Sequence, residues 1–414
     1  MTVDPATTFR ELAATYDRMF WLDGGGSRPW SGRRSILGFL SDDDVSLTYD
    51  ASTREVRRHQ SAHAVVVGDD PFTVLRTEVA KDAGDPRVSW VGYFGYAARP
   101  DLPAAVTAGS APDAVWMRVR DPLVVTHEPH EVAGSGRTGG PAPAAPVDYE
   151  DAFAEVQRQL RRGNSYEVNL TYRESFTADV DPVTAYLRLR AENPAPYAGY
   201  LQHHGVSLLS SSPERFATID RRRWLETKPI KGTTPRGTTD ADDAAHALAL
   251  ATDPKYRAEN LMIVDLLRND LSMVCEPGTV TVPVLMDVES YATVHQLVST
   301  VRGHLRPDVS AVDALRALFP AGSMTGAPKL RTMQIIEAVE NSPRGVYAGA
   351  FGWIGADGRA DLGVVIRSLV ARELAGSWKY ELGTGGGITV RSEVADEFAE
   401  TRWKADRLRA AVLG

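Results

Sequence analysis

A lysine set between isoleucine and glycine is the first residue here that could do chemistry. In KPIKGTTPRG (228–237), Lys231 follows Ile230 and precedes Gly232, with Pro229 and Pro235 on either side. Proline fixes one backbone torsion and glycine frees another, so the run reads as a shaped loop. It offers an amine, the hydroxyls of Thr233 and Thr234, and the guanidinium of Arg236 to something anionic.

Carboxylates form the second set. In SEVADEFAETRWKADRL, Glu393, Glu397, Glu400 and Lys404 recur at i, i+4, i+7 and i+11, one face of a helix. Three carboxylates in a stripe repel one another unless a cation or solvent intervenes. The stripe is therefore a solvated acidic face or, with the glycines Gly385 to Gly387 just upstream, the wall of a ligand site. Glu259 lies in AENLMIVDLLRNDL, an otherwise apolar helix where Asp265 and Arg268 read as an i,i+3 pair. A magnesium ion held by oxygens of Glu259 and Glu400 would join two helices far apart in sequence, because hard divalent ions take carboxylate oxygens. Glu214, at the strand-to-turn boundary of SSSPERF, is either a general acid or part of a surface turn. GSMTGAPK, with hydroxyls at Ser323 and Thr325, has the form of a carboxylate-binding turn ahead of a helix. GTGGG lacks the GxGxxG spacing and βαβ frame of a nucleotide site.

The elements that must position these residues are short strands interrupted by helices, without regular βαβ alternation. That predicts an α+β fold with antiparallel sheets. Phe9 to Phe20 reads as a helix, Asp148 as the N-cap of a second, and Asp253 to Asp270 as a third. The stretch 129–147, rich in Gly, Pro and Ala, reads as a linker between an N-terminal subdomain (1–128) and a larger domain (148–414). Of 414 residues, 43% are apolar and 24% charged, the balance of a globular protein. A net charge of −8 without a basic run argues against nucleic acid as a partner. The single cysteine, Cys275, forms no internal disulfide. No signal-peptide pattern opens the chain and no apolar run approaches the ~18 residues that span a bilayer, so a cytoplasmic protein with no membrane partner is expected.

Read together, SSPERF, PIKGT, AENLMIVDLLRNDL, HQLVS, FPAGSMTGAPK, GVYAGAFGWI, VVIRSL, GTGGG and EFAETRWKA resemble, in order and spacing, the chorismate-utilising enzymes. Within them the chain is similar to the large-subunit (component I) aminodeoxychorismate synthase branch. WLDGGGSRPWSGRRSILGF and WVGYFGY extend the resemblance over nearly the whole chain. It implies two facing antiparallel sheets with helices outside, and chorismate bound deep within beside magnesium. Glu259 and Glu400 would be metal ligands, with Glu397 acting through water. Glu214 would be the general acid. Tyr347 and Arg367 would hold the substrate carboxylates, helped by amides near Gly385 and Gly387 and by the Ser323 hydroxyl, with Thr233 beside the ring.

The resemblance also gives Lys231 its role. Anthranilate synthases carry alanine there, whereas the lysine would attack ring carbon 2, expel the 4-hydroxyl, and leave when ammonia enters at carbon 4. That requires an unprotonated amine, with a pKa lowered by burial or by cations such as Lys228 and Arg236. Isochorismate and salicylate synthases place a water-activating lysine where this chain has Glu167. The family's histidine directly precedes the Leu of HL-x-S. Here that position is Gln296, and His295 is one residue earlier, a slip that turns a strand side chain to the opposite face. Ammonia would come from a separate glutamine amidotransferase subunit. An anthranilate or other amino-chorismate synthase, and a non-catalytic chorismate-fold binding protein, stay open as alternatives.

Overall fold

The structure is a computed structural model, described here for residues 4–24, 34–61, 63–109, 111–127, 145–291 and 294–414. Most of the expected linker, 129–144, lies outside the described residues.

Among the described residues, two large antiparallel sheets face each other. The nine-stranded one runs from Gly326–Ala327 through Glu167–Ala178, Ser377–Ile388, Ser368–Leu374, Val206–Ser212 and Tyr197–His203 to Arg18–Asp23, Arg34–Phe39 and Leu123–Thr126. The twelve-stranded one runs from Ile230–Pro235 through Val294–His304, Trp224–Lys228, Arg215–Ile219, Ala360–Val364 and Ala350–Gly355 to Val88–Phe94, Ala114–Arg120, Ser46–Asp50, Glu55–Gln60 and His63–Gly68. Thr281–Ser290 also pairs with Val294–His304. Both sheets cross the expected boundary. Arg18–Asp23 pairs with Tyr197–His203, and Val88–Phe94 with Ala350–Gly355, so the N-terminal segment completes both sheets instead of forming one of its own.

Between the sheets, Phe20, Leu201 and Leu208 of one pack with Val91, Met117 and Phe351 of the other. On the outer face of the nine-stranded sheet, Trp21, Tyr200, Leu209 and Leu369 are covered by Tyr186 and Leu408 from the helices Pro182–Glu192 and Val394–Leu413. Helices outside and a second sheet inside bury the central strands on both faces. Tyr197–His203 and Val206–Ser212 therefore read as nearly continuous buried runs without a clean polar alternation.

Several local readings change. The first helix is Pro5–Thr15, capped by Asp4, and Met19 and Phe20 already belong to a strand. Asp148 lies in the first turn of Val147–Arg161, whose N-cap is Pro146. The Lys231 segment is no loop: Ile230–Pro235 is a strand, hydrogen-bonded to Val294–His304 across an irregularity between Ile230 and Thr233. The turn residues at either end misled because the partner strand, more than 60 positions later, supplies the pairing. The glycines at 385–387 likewise lie inside the strand Ser377–Ile388. No helix among the described residues is long and apolar enough to cross a membrane.

Candidate active site

Four elements converge on a cavity of about 140 Å³, room for one small molecule. Ile230–Pro235 brings Lys231 and Thr233. The glycine strand Ser377–Ile388, paired with Glu167–Ala178, forms the floor. The helix Pro254–Ser272, started by Pro254 and by the Asp253 carboxylate accepting from the Lys255 and Tyr256 amides, presents Lys255, Tyr256 and Glu259. From the helix Val394–Leu413 come Glu397, Glu400 and Lys404, on the stripe read from the sequence.

The glycines are where close approach demands them. A Cβ on Gly387 would stand 2.2 Å from Glu167 Oε1 and 3.2 Å from Lys231 Nζ, and one on Gly383 would stand 2.2 Å from the Tyr347 ring. Glu214, Ser323, Tyr347 and Arg367 complete the wall. Arg367 holds φ +51°, the left-handed region that non-glycine residues seldom occupy, and its guanidinium lies 5.3 Å from the Trp403 ring.

Of the predicted site residues, Lys231, Thr233, Glu214, Glu259, Ser323, Tyr347, Arg367, Gly385, Gly387, Glu397 and Glu400 all line this cavity. His295 does not. Its Nδ1 meets Ser290 Oγ at 2.8 Å and its Nε2 meets Asp243 Oδ1 at 2.9 Å, on the far side of the strand. Gln296, its neighbour, is the residue that lines the cavity, as the two-residue period requires.

Charge in the site is tightly coupled. Buried Lys231 donates to Glu167 Oε1. Burial pushes the lysine down, yet the carboxylates of Glu167, Glu259 and Glu214 outweigh it and hold its pKa above the ordinary value. The lowering expected for Lys231 is thus absent from this arrangement. The cations expected to cause it are engaged elsewhere, Lys228 with Glu289 at 2.7 Å and Arg236 with Asp243 at 2.6 Å. Glu214 is raised to about 7 by burial, against the opposing pull of the Ser323 hydroxyl, Lys231 and the Ile230 amide. Burial also raises Glu259 to about 7, and brings Arg367 down to about 10 with help from Arg407.

Two lysines bridge the acidic residues. Lys255 Nζ meets Glu397 Oε1 at 2.8 Å, and Ser392 Oγ donates to the same oxygen at 2.6 Å. Lys404 Nζ meets Glu400 at 2.7 Å and Gly385 O at 2.9 Å. Lys404, named in the sequence as part of the stripe, thus ties helix to floor. Lys255 was missed, although its place four residues before Glu259 puts both on one helical face. Asn169 was missed as well, a short alternation away from Glu167 on EVNLT.

A hard divalent cation fits the donor types present. Glu259 Oε1 is buried without a hydrogen-bond partner, and Glu397 and Glu400 share its cavity. As the side chains stand, no group of three acidic, His or Cys residues among the described residues is gathered to hold an ion, because Lys255 and Lys404 occupy the carboxylates.

Comparison with known proteins gives the same direction. Aminodeoxychorismate synthase of Streptomyces pristinaespiralis is 41% identical over 461 aligned residues, 99% of this chain and 64% of that protein. The Streptomyces griseus enzyme of the same name is 40% identical, covering 97% of this chain and 62% of the relative. The chain therefore spans less than two thirds of these relatives' length. The crystal structure of anthranilate synthase component I from Streptococcus pneumoniae superposes with a TM-score of 0.74 at 25% identity, over 92% of this chain and 93% of that one. The profile of the chorismate binding enzymes matches residues 142–410, and with the lysine, arginine and glutamates of the cavity all inside that span, the chain belongs to the chorismate binding enzyme family.

Proposed function

We propose that this chain is a cytoplasmic enzyme that aminates chorismate at ring carbon 4 to 4-amino-4-deoxychorismate, with ammonia from a glutamine amidotransferase partner, towards 4-aminobenzoate. The observation that carries the reading is the buried amine of Lys231, facing Glu214 and Glu259 across one cavity. The names of the Streptomyces relatives support it, as does that of the Klebsiella aerogenes aminodeoxychorismate synthase component 1, which is 43% identical over 63% of this chain.

Lys231 starts as an ammonium beside Glu167. In a buried pair, moving the proton to the carboxylate removes two charges from a low-dielectric site, so Glu167 is the base that frees the amine. The amine then adds to ring carbon 2, the double bonds shift, and the 4-hydroxyl departs as water with the proton of Glu214, whose pKa of about 7 keeps that proton available at neutral pH. Ammonia adds at carbon 4, the electrons return, and Lys231 leaves as a neutral amine. Glu214 recovers its proton from the new ammonium, and Glu167 returns its own to Lys231. Arg367 and the Tyr347 hydroxyl hold the substrate carboxylates throughout. Magnesium would be held by Glu259 and Glu400, with Glu397 behind them, and would supply charge neutralisation of the ring carboxylate. Incubation with chorismate, magnesium and ammonium, with and without an amidotransferase subunit, tests this by product. Aminodeoxychorismate is expected, and anthranilate formed without a separate lyase would overturn it.

A further inference from the structure

A second cavity, of about 410 Å³, adjoins the first and shares with it the side chain of Tyr347 and the backbone of Gly383. The two lie along one face of the same strand pair. On Glu167–Ala178, Asn169 lines the first cavity and Arg173, four residues on, lines the second. On Ser377–Ile388, Gly385 and Gly387 floor the first, while Lys379 and Glu381 lie in the second. The two-residue period of a strand keeps all of these on one side, and the Tyr347 ring stands between the cavities as a partition.

Around this second space three carboxylates are each shared by two cations. Glu340 takes Arg173 at 2.9 Å and Arg344 at 2.6 Å. Glu381 takes Lys379 at 2.7 Å and Arg372 at 3.5 Å. Glu174 takes Arg402 at 2.9 Å and Arg409 at 2.7 Å. Asp113, on another wall, accepts from the Ala51 amide at 2.9 Å. The deficit of negative charge falls on Arg173. Its Nη2 donates to Glu340, while Nε and Nη1 are buried with no hydrogen-bond partner. Buried donors without acceptors are costly, and more so on a charged group. Val346, Val370 and Leu382 give the cavity an apolar side.

We propose that this cavity is a second ligand site, distinct from the active site, for a small organic anion: a carboxylate held at Arg173 with an apolar body against Val346 and Val370. It takes an acceptor of single negative charge because one guanidinium shares its only carboxylate with Arg344 and keeps two buried donors unanswered, and a partly apolar one because Val346, Val370 and Leu382 line the space beside the polar groups. The site does not depend on the reaction assigned to the first cavity.

The probe is 4-bromobenzoate. In crystals of the full chain, anomalous scattering should place its bromine in the second cavity. In solution, calorimetric titration should show that Arg173→Gln weakens this binding event at least about tenfold, the loss of a charge-assisted hydrogen bond. Arg367→Gln, in the first cavity, should leave it unchanged. Ala108→Trp, a substitution at an exposed position of the cavity rim, should block the event without touching the guanidinium, which keeps the test decisive if Arg173→Gln fails to fold. The neutral 4-bromobenzamide should not bind there. Bromine confined to the active-site cavity, binding at crystal concentration only, or an affinity indifferent to both Arg173→Gln and Ala108→Trp would overturn the proposal.

Discussion

At the scale of single residues, the site works through pairs whose charges are interdependent. Lys231→Ala removes the proposed nucleophile and should slow the proposed aminodeoxychorismate formation by ~10³-fold or more, measured with saturating ammonium so that no partner is needed. Unchanged turnover would rule out covalent catalysis by this residue. Glu214 makes a double prediction. In its proposed role as general acid, with a pKa of about 7, it should give a rate that falls as pH rises through about 7, and Glu214→Gln should cost ~10²–10⁴ in rate while removing that limb of the profile. The same shift acts on stability. The folded state keeps a proton on Glu214 from its ordinary 4.5 up to about 7, so folding loses ground as pH rises through that window. Glu214→Gln should therefore raise the melting temperature at pH 8, by ~1–3 kcal/mol of stability, even as activity disappears. A variant that loses both would show that the carboxylate supports the fold instead of straining it.

At the scale of elements, the glycine strand Ser377–Ile388 and the Lys231 strand are matched by steric clearance. Gly387→Ala would put a methyl group within contact of both Glu167 and Lys231, so activity should fall steeply. Stability should drop by only ~1–3 kcal/mol, since one strand position is overpacked and the pairing remains; kinetics beside thermal melting will separate the two. The elements also explain which parts of the site could be read in advance. The helix positions were legible because 3.6-residue spacing is local: Glu397, Glu400 and Lys404 sit on the cavity as their spacing required. The strand character of 230–235 was hidden, since its hydrogen bonds go to residues such as Gln296 and Val298, which no local pattern announces. The Lys231–Glu167 pair was hidden for the same reason. Glu167 lies on the other sheet, and its role in the pair depends on a tertiary contact across 64 residues. His295 shows the converse, for the two-residue strand rule alone foretold that it would face away.

At the scale of the whole molecule, neither sheet is complete without the first 127 residues, although the family profile matches only 142–410. A fragment starting at residue 145 would expose the edges of Tyr197–His203 and Ala350–Gly355, together with Leu201, Leu208 and Phe351. It should be insoluble or molten by near-ultraviolet circular dichroism, and a well-folded fragment would show the two sides to be independent. The same topology has a consequence for synthesis on the ribosome. Arg18–Asp23 waits some 180 positions for Tyr197–His203 to be translated, and Val88–Phe94 waits about 260 for Ala350–Gly355. At translation speeds of ~5–20 residues per second, the nascent N-terminal strands spend tens of seconds with unpaired edges. Chaperone supply during that interval, more than the stability of the finished protein, should set the soluble yield.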